Sequence, residues 1–249
     1  MTAINLIAVA TFLIALAVVT VVARRSCDAP LAWAGLGFGS AVLTAFATVT
    51  PIGVVLALFG EGLLRMTPGS VAYGALNMGV IAPGLEELFR LVFLLVALAY
   101  LPGQRGSVLG LGLTFGLAWG LGELFLRCMG FLLLLGGIEP PPMLAVMATT
   151  GIAEPFDATL MFAGRLAIFF WHGAISVLVI SGIRSADSRP IWIAVGLHLA
   201  GNMASYMLAA FVTPFAGSLM VTLIIAAALF WLAMKYAAGE ALRQPQALR

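Results

Sequence analysis

The chain has 249 residues, of which 63% are hydrophobic and 9% charged, with a formal net charge of +2. A soluble domain carries roughly 25% charged and about 45–50% apolar residues, so this composition excludes a water-facing surface and makes lipid the solvent. The small net charge, with no basic run longer than Arg24-Arg25, also argues against a nucleic-acid partner.

In hydrocarbon every backbone polar group must be satisfied internally, which leaves helices or closed barrels. The apolar runs are about 20 residues or longer, the length of a helix crossing a bilayer rather than of a barrel strand. The expected fold is therefore all-α, a polytopic membrane protein of seven transmembrane helices forming one domain over residues 1–249. In chain order the spans are predicted at 4–22, 31–58, 71–101, 107–135, 158–183, 190–211 and 214–236. Pro83-Gly84 is expected to interrupt the third. The longest connection, 136–157, holds Pro140-Pro141-Pro142 and the acidic Glu139, Glu154 and Asp157. Cys27 falls in a loop and Cys128 in an apolar run, so they are read as packing residues rather than a disulfide.

Arg24-Arg25 follow the first apolar stretch instead of preceding it, which predicts a first span with its N-terminus outside rather than a cleaved signal. Arg105, Arg184, Arg189, Lys235, Arg243 and Arg249 fall on the same side as Arg24 and Arg25, while Arg65 lies opposite with Glu61, Glu139, Glu154 and Asp157. The positive-inside rule then gives an N-out, C-in orientation.

Several side chains do not belong in lipid. The third span carries Leu85-Glu86-Glu87-Leu88-Phe89-Arg90, and the i,i+4 and i,i+3 spacings let both carboxylates reach the guanidinium. The fourth carries Glu123 and Arg127, and a ridge of Gly110, Gly112, Gly116, Gly120 and Gly122 that admits a neighbouring helix at close range. The fifth carries Arg165 and His172, and the sixth His198 and Asn202 on one face. Counted at 1.5 Å per residue from the predicted cytoplasmic ends, His198 is about 12 Å deep, His172 about 15 Å and Arg90 about 17 Å. Asn202 follows at about 18 Å, Glu86 and Glu87 at about 21 Å, and Glu123 at about 25 Å. A charge at the bilayer centre costs at least about 2.5–3.5 kcal/mol. Helices 3 to 6, about 71–211, are therefore expected to enclose a polar pocket. Arg165, and to a lesser degree Arg127, are read as snorkelling or structural charges outside it.

Carboxylates and imidazoles in a desolvated pocket can activate water directly, with His and Asn binding the developing oxyanion. Alternatively, Glu86 or Glu87 with His172 and His198 could ligate a divalent metal such as zinc, whose bound water attacks. Both routes lead to hydrolysis of an amide, and the residues leave the choice open. The chain lacks a His-Glu-x-x-His motif, a Gly-x-Ser-Gly nucleophile and a Gly-x-Gly-Asp motif, and Asp28, Asp157 and Asp187 all fall in loops.

Three stretches, Leu85 to Arg90, Gly116 to Glu123, and Phe170-Trp171-His172-Gly173 continuing to His198-Leu199-Ala200-Gly201-Asn202, resemble the superfamily of glutamate-type intramembrane proteases. That group comprises the CAAX prenyl endoproteases and their CPBP relatives, the PrsW and YhfC families and the Aph subunit of γ-secretase. The look is closest to YhfC and Aph. The resemblance implies an intramembrane endopeptidase in which Glu86 or Glu87 is the base and Arg90 orients the carboxylates. His172 and His198 would bind water or metal, Asn202 would stabilise the oxyanion, and Glu123 would join the site. The prenyl endoprotease pattern has three residues between its Glu pair and Arg, where this chain has Leu88 and Phe89; Ile168 rather than Phe lies four before His172. The implied partners are membrane lipid and a membrane-anchored peptide substrate. The Aph likeness implies instead a non-catalytic scaffold that binds partner transmembrane helices through the glycine ridge. A proton-coupled carrier using the same acids is a third reading, though seven spans do not divide into two inverted halves. The expected location is a bacterial or archaeal cell membrane.

Overall fold

The computed structural model describes residues 3–27, 29–49, 71–103, 106–139, 155–211 and 216–243. Among these the chain is all-helical, with seven helices and no strand. They are α1 (Ala3–Ser26), α2 (Pro30–Val49), α3 (71–100), α4 (Val108–Leu135), α5 (Pro155–Ser185), α6 (Arg189–Phe211) and α7 (Ala216–Arg243). Six of them are long and apolar enough to cross a membrane, which makes this a helical membrane protein. The seventh, α3, carries Glu86, Glu87 and Arg90 within Ala82–Tyr100.

The helices follow the hydropathy pattern, and their ends differ where apolarity alone carries no stop signal. α7 runs on to Arg243, past the expected end at 236, and α5 starts at Pro155, where proline suits a first turn. The expected continuation of α2 to 58 and the triproline connection lie outside the described residues. Both cysteines are free and buried.

Pro83 does not interrupt α3, contrary to expectation. The helix passes through a π-helical turn, Asn77–Ile81, in which the Ala82 N–H donates to the Asn77 carbonyl, and then continues as α-helix to Tyr100. A proline ring clashes with the carbonyl four residues earlier, here Gly79. The wider π turn relieves that clash without breaking the rod. The same turn faces α6: a Cβ on Gly79 would lie 3.0 Å from the Met203 Cα.

α4 and α5 are the inner helices, each with 78% of its span buried, against 28% for α1 and 22% for α7. The glycine ridge explains this. A Cβ on Gly112 would lie 2.5 Å from the Val177 Cα and one on Gly120 2.8 Å from the Phe169 Cα, while one on Gly116 would collide with the His172 carbonyl. On the opposite side, a Cβ on Gly122 would meet the Phe38 carbonyl at 2.8 Å, and one on Gly37 of α2 would collide with the Phe115 carbonyl. The ridge is thus filled by α5 and α2 of the same chain, not left open to another protein's helix. α1 joins through the carbonyl of Ser26 at Gly110. Around this seam pack Trp33, Phe115, Trp119, Ile175 and Leu178, all buried.

Overpacking a tight interface costs about 1–3 kcal/mol. Gly116→Val should therefore lower stability by at least that amount, and Gly120→Ala by the lower end of it, measured by thermal unfolding in detergent. Gly39→Ala, where nothing lies within 4 Å of the added Cβ, should be neutral or stabilising by up to about 1 kcal/mol.

Candidate functional site

The α4–α5 seam sets the backbones at which the polar residues meet. Because Gly116 lets the His172 carbonyl approach, His172 and the turn from Trp119 to Glu123 face each other. α3 adds Glu86, Glu87 and Arg90, and α6 adds His198. Residues on four helices, separated by up to 111 positions in sequence, bond to one another.

Arg90 is the centre, fully buried, its planar fork holding three partners at once. Its Nε donates to Glu87 Oε1 at 3.1 Å, Nη1 to Ser176 Oγ at 3.0 Å and Nη2 to His172 Nδ1 at 2.7 Å. Its guanidinium carbon also sits 4.3 Å from the centre of the Trp119 ring, a cation–π stack. Glu87 Oε1 accepts a second bond, 2.7 Å from His198 Nδ1. The two imidazoles stand edge to face with centres 5.6 Å apart, and Trp171 packs on His198 at 5.5 Å.

These bonds fix the tautomers. Arginine has no acceptor, so His172 Nδ1 must offer its lone pair and the neutral ring carries its proton on Nε2. That Nε2 lies 3.1 Å from Glu123 Oε1, a close contact that lacks hydrogen-bond alignment, so the Nε2–H has no aligned acceptor. Glu123 Oε1 is held by Trp119 Nε1 at 2.9 Å. His198 is fixed the other way: Nδ1–H donates to Glu87, and Nε2 presents its lone pair 3.6 Å from Glu86 Oε2, beyond a direct hydrogen bond.

The carboxylates fall into two classes. The Glu87 side chain is 2% exposed, whereas Glu86 and Glu123 are 25% and 26% exposed. Glu86, Glu123 and His172 each bring one atom within 4.8 Å of the others.

Of the residues expected in the site, Glu86, Glu87, Arg90, Glu123, His172 and His198 come together. Asn202 does not join their bonds; its Nδ2 donates to the carbonyl of His198 in its own helix at 3.2 Å. Ser176 and Trp119 are partners that sequence reading passed over. Ser176 lies one turn after His172 and Trp119 one turn before Glu123, so i,i+4 spacing from the ionisable residues was the available signal. Arg127 and Arg165, expected to stand apart from the pocket, are within electrostatic reach of both Glu86 and Glu123.

A metal at Glu86, Glu123 and His172 would need the Nε2 lone pair of His172. That atom carries the proton as long as Arg90 donates to Nδ1, and Arg127 and Arg165 already supply positive charge beside the two acids. Glu86, Glu123 and His172 therefore do not fit a divalent metal in this tautomer, whereas the Nε2 lone pair of His198 faces Glu86 and Glu87 Oε2 has no hydrogen-bond partner among the described residues.

Removing one partner of a buried charge pair costs about 3–5 kcal/mol. Arg90→Lys keeps the charge but cannot reach Glu87, Ser176 and His172 together, so a loss of that order is expected in detergent unfolding. Ser176→Ala, which leaves one guanidinium N–H unpaired, should cost about 1–3 kcal/mol. No protein-family model, curated protein or solved structure matches the chain, and its function is to be read from the arrangement of these side chains.

Proposed function

We propose that this chain is an intramembrane peptidase, a seven-span N-out, C-in protein that hydrolyses a membrane-associated peptide bond with a Glu86-activated water. One observation carries the reading. Glu86 is the solvent-reachable carboxylate that faces the free lone pair of an imidazole, His198 Nε2, across a gap of 3.6 Å too long for a direct bond. Glu87 Oε1 is held by Arg90 and His198, and Glu123 Oε1 by Trp119.

A water seated against Glu86 gives up a proton to the carboxylate as its oxygen bonds to the carbonyl carbon. The oxyanion that forms lies within reach of the unaligned Nε2–H of His172, a donor already fixed in place by Arg90. The proton held by Glu86 then passes to the amide nitrogen as the C–N bond breaks. Glu87 acts through His198, holding its tautomer as a carboxylate does in a catalytic triad. Arg90 positions both histidines. The likeness of these residues to the glutamate-type intramembrane proteases supports the same assignment, with Glu86 rather than Glu87 as base. Asn202, bonded to its own helix, has no part in it.

Cleavage of membrane-anchored peptides by the purified protein tests this. Glu86→Gln should lower kcat by about 10²–10⁴-fold, the usual contribution of a general base. Asn202→Ala should stay within about tenfold of wild type, since it removes only a bond within α6. Cleavage by Glu86→Gln at the wild-type rate would discard the mechanism.

A further inference from the structure

Two arginines of the α4–α5 pair stand outside the bonded network. Arg127 lies one turn after Glu123, and Arg165 two turns before His172 on the same face of α5. The antiparallel register is set by close approaches of Gly112 to Val177, Gly116 to His172 and Gly120 to Phe169. One more step up α4 and down α5 pairs residue 124 with residue 165, which brings Arg165 level with the turn that holds Glu123 and Arg127. The two half-buried guanidiniums lie in each other's field and in that of Glu123 and Glu86.

Neither arginine has a hydrogen bond or an ion pair among the described residues. Glu123 Oε1 is held by Trp119, and neither Glu123 nor Glu86 closes a direct pair with these arginines. Two neighbouring cations in a low-dielectric setting repel one another, and among the described residues no carboxylate closes a direct pair with either. A further anion bridging the two guanidiniums would relieve that repulsion.

Position along the helices indicates which anion. The apolar spans end at Gly130 on α4 and begin at Thr159 on α5. Arg127 is thus about 5 Å and Arg165 about 9 Å inside that end, at 1.5 Å per residue. Arginine side chains at such depth extend to the boundary between acyl chains and headgroups, where lipid phosphates lie. Each guanidinium can grip two phosphate oxygens, so two forks can hold one phosphate from both sides. We propose that Arg127 and Arg165 form a subsite for the phosphate of an anionic membrane phospholipid, seated at the α4–α5 rim of the acidic pocket. This does not rest on the peptidase reading.

The test is thermal unfolding of the delipidated full chain in neutral detergent, titrated with dioctanoyl phosphatidylglycerol, dioctanoyl phosphatidylcholine or inorganic phosphate. Phosphatidylglycerol should raise Tm saturably, and the zwitterionic lipid and inorganic phosphate should not at the same concentrations. Arg127→Gln and Arg165→Gln should each weaken half-saturation on the order of tenfold, the loss of one charge-assisted contact, and the double variant should abolish the response. A wild-type response in the double variant overturns the site. An equal response to inorganic phosphate overturns the lipid as its source, and the absence of any response in the wild type overturns both. If the double variant does not fold, Arg127→Lys with Arg165→Lys keeps the charges but loses the forks; weaker half-saturation supports the site and an unchanged one overturns it.

Discussion

A single guanidinium, that of Arg90, determines the state of everything around it. It is a permanent cation with no exposure, stacked on Trp119 and bonded to Glu87, Ser176 and His172. Because it can only donate, it dictates which nitrogen of His172 is protonated, and by sharing Glu87 with His198 it helps fix that ring as well. Desolvating such a charge is expensive, and its attraction to Glu87 repays the cost only with good geometry and satisfied donors. The network is therefore cooperative: no member can be removed without exposing another to an apolar surrounding that does not solvate it.

That cooperativity needs backbones held to a fraction of an ångström, and the glycines of α4 supply it. With no side chain on Gly112, Gly116 and Gly120, α5 rests on the α4 backbone, and the height of His172 relative to Glu123 is set by backbone contact rather than by flexible side chains. Rigid elements carry catalytic groups more accurately than loops do. The π turn at Asn77–Ile81 has a related effect on α3. One extra residue in a turn rotates everything after it, so the direction in which Glu86, Glu87 and Arg90 point is tied to how α3 passes Pro83.

Much of this was legible in the sequence because lipid makes polar residues conspicuous. Composition gave the helical class and hydropathy the elements, and Glu86, Glu87, Arg90, Glu123, His172 and His198 stood out because a charge or imidazole in an apolar run requires a partner. The partners that are ordinary residues, Ser176 and Trp119, were not visible, since a serine or a tryptophan in a membrane helix needs no special reason. For Asn202, i,i+4 spacing from His198 says that two residues share a face, not whether the amide turns to the pocket or, as its Nδ2 does, to its own backbone. Pro83 was read as a break because its effect on an α-helix is local, while the relief a π turn gives is visible only in the hydrogen-bond pattern.

The charges of the pocket are evenly matched in type yet not in place. Three arginines, 90, 127 and 165, share it with three glutamates, 86, 87 and 123. One pair, Arg90 with Glu87, is closed and buried. Near the remaining two glutamates stand two arginines that reach neither of them directly, so charge is separated across the pocket instead of cancelled. A purely structural cluster would gain by closing those pairs, because a low-dielectric interior rewards short contacts steeply. Kept apart, Glu86 and the two arginines form no direct ion pair with one another among the described residues. On the proposed reading, this separation would give the pocket two distinct chemical ends, one a carboxylate to act on water and one a pair of cations to anchor an anion beside it.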